Sequence, residues 1–212
     1  MEAFDKILEF NRQWASDMVR HDASYFTRHA MGQTPHTLFI GCSDSRIQTN
    51  TLTGTDQGEM FVHRNIANQI YGSDLNVLSA VEYAVDVLDV KHILVCGHYG
   101  CGGIRAASAP NSPTHGLTDH WLSQLRTIIR LHKDDLDACG EGEARLDRLS
   151  ELNVLEQLNN LAATPVIQDA WERGRRPILH GLVYDIRTGL LKELATRIDG
   201  PDKASTILPR RG

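Results

Sequence analysis

Apolar residues follow two rhythms along this chain. The first returns every three or four positions. Phe4, Ile7, Leu8, Trp14 and Met18 mark one face of an amphipathic helix over Met1 to Arg20, and a second short helix is expected over Ala23 to Ala30. Leu78, Val81, Val85 and Leu88 mark the buried stripe of a helix from about Asp74 to Leu88, with Ser73 as its N-cap. The second rhythm is the short unbroken apolar run. Thr37-Leu38-Phe39-Ile40, Met60-Phe61-Val62, His92-Ile93-Leu94-Val95 and Ile178 to Tyr184 predict buried strands, the first ending at Gly41 and the third at Gly97.

Strand, helix and strand at this spacing imply right-handed crossovers and a parallel sheet. In the middle of the chain, Trp121, Leu122, Leu125, Ile128 and Ile129 predict one helix, and Leu152, Leu155 and Leu158 another; Cys139 to Glu143 (CGEGE) reads as a loop. Arg175-Arg176-Pro177 leads into the fourth strand, and Thr188-Gly189 reads as a turn into a fifth, Leu190 to Leu194, antiparallel to it. The expected fold is α/β: a central sheet of four parallel strands plus an antiparallel fifth, helices on both sides, and an N-terminal helical arm over residues 1–35. Residues 200–212, with two prolines and no periodicity, read as a flexible tail.

At 212 residues the chain suits one domain with a sizeable core. The net charge of −5 points away from nucleic acid and from an anionic membrane as partners. No apolar run approaches the roughly 20 residues that span a bilayer. The charged start, MEAFDKILEFNRQW, lacks the apolar stretch of a signal peptide, so the expected location is the cytoplasm. There, four cysteines read as thiols, metal ligands or nucleophiles rather than as disulfides.

Two of the strands end in residues with chemistry: Cys42-Ser43-Asp44-Ser45-Arg46 follows the first, and His98-Tyr99-Gly100-Cys101-Gly102-Gly103 the third. Ligands of open parallel sheets gather beyond the carboxyl ends of strands. Two thiolates and an imidazole, Cys42, His98 and Cys101, satisfy three corners of a zinc tetrahedron and leave the fourth open, the mark of a catalytic site. A helix starting near Gly102 would favour the thiolate of Cys101. Asp44 has two partners in competition, the zinc and Arg46: held by Arg46 it leaves the fourth position to water, and held by zinc it shuts the site. A cysteine behind a core strand is by itself ordinary packing. The joint occurrence of both clusters argues for the metal, and a structural zinc is the competing reading.

These motifs, together with Phe61-Val62-His63-Arg64-Asn65-Ile66-Ala67-Asn68, Glu82-Tyr83-Ala84-Val85 and His180-Gly181-Leu182-Val183-Tyr184, resemble those of the β-class carbonic anhydrases, above all the bacterial members. The likeness covers about Phe4 to Leu194. It implies Zn2+ on Cys42, His98 and Cys101, with Asp44 and Arg46 as the dyad that gates and orients the fourth ligand. It matches Gln33 to a glutamine that hydrogen-bonds substrate. Gly103 is a further candidate substrate contact, and Phe61 a candidate wall for CO2. The resemblance further implies a homodimer or homotetramer with active sites near the subunit interface, Tyr83 lining it. Some bacterial members carry a regulatory bicarbonate site of tryptophan, arginine and tyrosine. Arg64 and Tyr184 match two of these, but Phe39 stands at the tryptophan position and a phenyl ring donates no hydrogen bond, so Phe39 also reads simply as a core residue.

The function expected from the residues and the resemblance together is reversible hydration of CO2 to bicarbonate and a proton, by attack of a zinc-bound hydroxide. Two thiolate ligands donate more charge than imidazoles do, which predicts activity rising through neutral toward alkaline pH. Relatives that hydrolyse carbon disulfide with the same ligands make that substrate the first alternative. A zinc-stabilised sensor without catalysis is the second, and a redox role for Cys42 or Cys101 the third. His63 and Cys96 read as structural, Cys139 as a free surface thiol, and Arg126, Arg130, His132 and Lys133 as a solvated basic face.

Overall fold

The computed structural model of this protein describes residues 2–109, 116–174 and 177–208. They divide into two compact units, Met1–Thr34 and Pro35–Gly212. In the first unit, α1 (Ala3–His21) is closed at its start by a reciprocal capping box between Glu2 and Asp5. Within this unit Trp14 sets its ring edge-on to Tyr25 and Phe26 of α2 (Tyr25–Ala30), while Phe4, Ile7 and Leu8 stay exposed.

The second unit runs β1 (Thr37–Cys42), α3 (Thr49–Thr53), β2 (Met60–Asn65), a 3-10 turn (Ile66–Asn68), α4 (Leu75–Glu82) with a π-helical turn (Tyr83–Val87), and β3 (His92–His98). It continues through α5 (Gly102–Ser108), α6 (Leu117–Trp121), α7 (Ser123–Leu131), α8 (Lys133–Ala138), α9 (Glu143–Ala162) and α10 (Pro165–Glu172), then β4 (Ile178–Asp185), β5 (Leu190–Ile198) and α11 (Pro201–Ala204). The strands form one sheet in the order β2-β1-β3-β4-β5. The first four are parallel, and β5 returns antiparallel to β4 through the turn at Thr188-Gly189, as expected from the sequence. The strand that follows β1 in the chain lies outside it, so β3 returns to pair with β1, Gly41 opposite Cys96. That crossover brings the carboxyl ends of β1 and β3 side by side.

One sheet face, built from Leu38, Ile40, Ile93, Val95, Leu179 and Val183, packs under α4, α9 and α10. Close approach of α9 requires glycine beneath it: a Cβ on Gly97 would stand 2.6 Å from Val154, and one on Gly181 3.2 Å from it. A second core cluster gathers Cys42 and Cys101 with Ile104, Leu122, Leu125 and Leu149.

Several expectations shift. Asp74, not Ser73, caps α4, accepting from the Asn76 N–H at 3.0 Å. The buried stripe is Val77, Val81, Ala84 and Val85: Val81 and Val85 are buried as expected, Leu78 is only partly covered, and Leu88 also falls short because a π-helical turn (Leu88 N–H to Tyr83 carbonyl, 3.0 Å) rotates the residues after Glu82. β1 and β3 run through Gly41 and Gly97 to Cys42 and His98, and α9 begins at Glu143, inside the expected loop. His132 leaves the basic face for the interior, 8% exposed and 2.6 Å from Glu156. In place of a flexible tail from Gly200, Pro201 opens α11 and Ile207 is buried in the core. Residues 209–212, and Arg175 and Arg176 before the fourth strand, lie outside the described residues.

Candidate metal centre

Cys42 closes β1, His98 closes β3, and Cys101 is the residue from which α5 starts. Gly100, at φ +69°, makes the tight turn that brings Cys101 back toward His98. The three ligand atoms lie within 4.8 Å of one another, all buried, with the two sulfurs 3.9 Å apart. The His98 ring is oriented by its own turn: Nδ1 lies 3.0 Å from the Tyr99 carbonyl, which fixes the proton there. Nε2 is thereby left as an acceptor, and it is buried without a hydrogen-bond partner. A buried polar atom left unmade costs about 1–3 kcal/mol. A cation between the two sulfurs and this nitrogen removes that penalty, so the donor set fits a tetrahedral N/S site with one position free.

Electrostatics favours a cation at the same point. The neighbouring Cys101 thiol, together with His98 and the Ala67 N–H at 3.4 Å, draws the Cys42 thiol well below its ordinary value despite burial. Cys101 is pushed up by the Cys42 sulfur beside it and by burial. A metal ion binds such a pair as thiolates and displaces their protons.

Asp44 and Arg46 form a two-pronged pair: Arg46 Nε donates to Oδ1 at 2.9 Å and Nη2 to Oδ2 at 2.7 Å, and the Arg46 N–H adds 3.0 Å to Oδ1. The arginine holds the Asp44 carboxyl well below the usual carboxylate range. The same Nη2 reaches the Gly100 carbonyl at 3.1 Å, which ties the dyad to the His98–Cys101 turn. Asp44 Oδ2 lies 3.7 Å from His98 Nε2. A cavity of about 330 Å³, lined by Arg46, Gln48, Thr51, Leu52, Tyr184 and Gly189, adjoins the arginine.

The other candidates have these surroundings. Gln33 is exposed within the first unit. Phe61 stacks at 5.8 Å on Tyr83 and packs against the core, and Phe39 is 1% exposed, its ring filling the space a Gly41 side chain would need. Arg64 donates Nε to the Cys42 carbonyl at 2.8 Å and Nη2 to the Asp44 carbonyl at 2.7 Å, so its donors hold the backbone of the Cys42–Asp44 segment. Gly103 lies against the 3-10 turn, where a Cβ would meet Ala67 and Ile66 at 3.1 Å. His63 is buried, which lowers its basicity, and burial pushes the Cys96 thiol up to about 12. The residues that sequence patterning did not flag are those of the 3-10 turn, whose Ala67 N–H faces the Cys42 sulfur. No periodicity marks a lone backbone donor.

An α/β sheet with a Cys-His-Cys cluster and a carboxylate–guanidinium pair at its carboxyl edge defines the class of protein in view. The carbonic anhydrase family profile matches residues 37–191. A carbonic anhydrase of Emericella nidulans is 46% identical over 200 residues, spanning 94% of this chain and 86% of that protein. One of Pseudomonas aeruginosa is 39% identical, spanning 96% of this chain and 88% of that protein. The Coccomyxa β-carbonic anhydrase, solved in complex with acetazolamide, superposes with a TM-score of 0.92 at 40% identity, over 99% of this chain and 94% of that one. A structure from Sordaria macrospora, one of two β-carbonic anhydrases described as tetrameric, matches at 0.84 and 40%, over 90% and 96%. The chain belongs to the β-class carbonic anhydrase family and is an enzyme of that class.

Proposed function

We propose that this protein holds zinc through Cys42 Sγ, His98 Nε2 and Cys101 Sγ and catalyses the reversible hydration of CO2 to bicarbonate and a proton. The observation that carries the reading is the unpartnered, buried Nε2 of His98 facing two buried sulfurs 3.9 Å apart. Bound there, zinc supplies a Lewis acid that lowers the pKa of water from about 15.7 toward 7.

The chain's own residues do the rest. Asp44, fixed by the Arg46 fork, presents a carboxylate oxygen beside the open position and accepts a hydrogen bond from the attacking oxygen, which aims that oxygen's lone pair at carbon. Its low pKa keeps it an acceptor throughout the neutral range. Were zinc bound, Arg46 would compete with it for Asp44, and the two-pronged pair would keep that carboxylate from closing the site. Arg64 holds the carbonyls on either side of Ser43 and so fixes the angle between Cys42 and Asp44.

The assembly is proposed to be a homodimer or homotetramer. The Sordaria macrospora precedent and the exposed Val62, Ile66, Tyr83 and Val87 support this, and light scattering tests it. Among the described residues no helix is long and apolar enough to cross a membrane. A reducing cytoplasm is the location proposed, because sulfurs 3.9 Å apart must remain thiolates to serve as ligands.

Stopped-flow CO2 hydration by the zinc-loaded protein, run beside a sulfide-release assay with carbon disulfide, tests the reaction. Turnover of CO2 that rises from about pH 6 to about pH 9 is expected. Sulfide release without CO2 turnover would reassign the substrate, and zinc binding without either reaction would make the site structural.

A further inference from the structure

The 3-10 turn beside the metal centre is strained. Ala67 sits at φ +63°, ψ +32°, and Asn68 follows at φ +47°, two successive non-glycine residues in the left-handed region, both buried. Such a conformation persists only where its surroundings over-determine it. Here buried amides do so. Asn153 of α9 donates Nδ2 to the Ala67 carbonyl at 3.0 Å, and Gln69 donates Nε2 to the same oxygen at 2.7 Å. The Asn153 carbonyl oxygen accepts in turn from Gln69 at 2.8 Å and from Gln157 at 3.1 Å. On the other side the Trp121 indole donates to the Ile66 carbonyl at 2.9 Å. With its carbonyls held in this way, the turn directs the Ala67 N–H at the Cys42 sulfur, 3.4 Å away.

The structure assigns to Asn153 the role of a positioning residue for the metal: acting with Gln69, it holds Ala67 in the left-handed conformation from which its N–H hydrogen-bonds the Cys42 ligand sulfur. The inference rests on the reading of Cys42 as a zinc ligand. Asn153 touches neither sulfur nor substrate, and is 1% exposed some 111 residues further along the chain than Cys42. An N–H donor withdraws charge from a thiolate and fixes its direction, and outer contacts of this kind change metal affinity by about 10–100-fold.

The test uses the full-length, zinc-loaded protein and a chromogenic chelator to time metal release. Asn153→Ala should release zinc about tenfold faster. In the cobalt-substituted protein the sulfur-to-cobalt charge-transfer band should move to longer wavelength as the sulfur regains charge. Glycine enters the left-handed region without strain, so adding Ala67→Gly to Asn153→Ala should restore slow release and return the band toward its original position. A merely structural role for Asn153 predicts no such rescue. If Asn153→Ala does not fold, Gln157→Met loosens the network one bond further away and should show the same pattern at smaller size. Wild-type release and an unmoved band in a folded variant, or losses that Ala67→Gly leaves untouched, overturn the proposal. Wild-type protein that binds no zinc overturns both this and the metal reading, whereas tight zinc binding with Asn153→Ala unchanged overturns this one alone.

Discussion

Two buried polar clusters lie back to back across Tyr99, and they are built on opposite terms. On one side, Glu151 has all it needs: Oε1 accepts from the Tyr99 hydroxyl and from Lys192, each at 2.6 Å, and Oε2 from Arg148 at 3.0 Å. On the other side, His98 donates one hydrogen bond from Nδ1 to the Tyr99 carbonyl, and its Nε2 has no partner. Burial alone does not separate them, since both residues are under a tenth exposed. Satisfaction does. A carboxylate with three charge-assisted or hydroxyl donors is a brace, and a nitrogen held ready without a donor is a socket. The difference predicts that breaking the first region destroys stability and breaking the second destroys chemistry.

The largest expected effect comes from Cys42→Ser, which should lower CO2 turnover by more than about 10³-fold while circular dichroism shows the fold retained. Unchanged turnover would end the metal reading. Next, Glu151→Ala should destabilise by about 3 kcal/mol, the low end for a broken buried pair because Arg148 and Lys192 keep access to solvent, with turnover per folded molecule preserved. The pH dependence sharpens this. Burial pushes the Glu151 carboxyl up, but Lys192, Tyr99 and Arg148 outweigh it, so the folded value lies below the ordinary one. Its contribution is therefore complete above the unfolded value of about 4.3 and is lost as pH falls through the lower folded value. Urea midpoints for wild type and Glu151→Ala should thus converge on acidification. A constant gap between them would contradict the brace.

Asp44→Asn should reduce turnover about 10²-fold with zinc content maintained, since the amide cannot accept a proton and breaks the Arg46 fork. Zinc analysis beside the kinetics decides whether the loss is one of orientation or of metal. Smallest of all, Asp74→Ala removes the side-chain cap of α4 and should lower stability by about 1 kcal/mol without touching turnover.

Short apolar runs exposed most of the sheet in the sequence, because strands buried on a parallel sheet carry no polar alternation to obscure them. The Cys-His-Cys cluster was equally legible: cysteine and histidine at strand ends announce their chemistry by residue type. The misses have different causes. α3, Thr49–Thr53, is almost wholly polar, and α9 hides its start behind Gly140 and Gly142. At the end of α4 Leu88 leaves the expected stripe because a π-helical turn breaks the 3.6-residue period on which such stripes are read. α10 could have been found, with Thr164 before Pro165 as a start signal. Arg64 matched a regulatory position by type, but its partners are two backbone carbonyls, and those become neighbours only through the pairing of β1 with β2. The amides of Gln69, Asn153 and Gln157 look like surface residues until α9 is laid on the turn.

The strand order has a temporal consequence. Cys42 and His98 belong to strands that are neighbours in space but separated in the chain by β2 and α4. Such distant pairings close late in folding. Under the proposed metal reading, an ion arriving early would meet isolated thiols and a lone imidazole, none of which grips well alone, so loading would follow the joining of β1 to β3. Scarcity of the ion would then leave folded chains with an open site, and would show first as idle enzyme rather than as loss of protein.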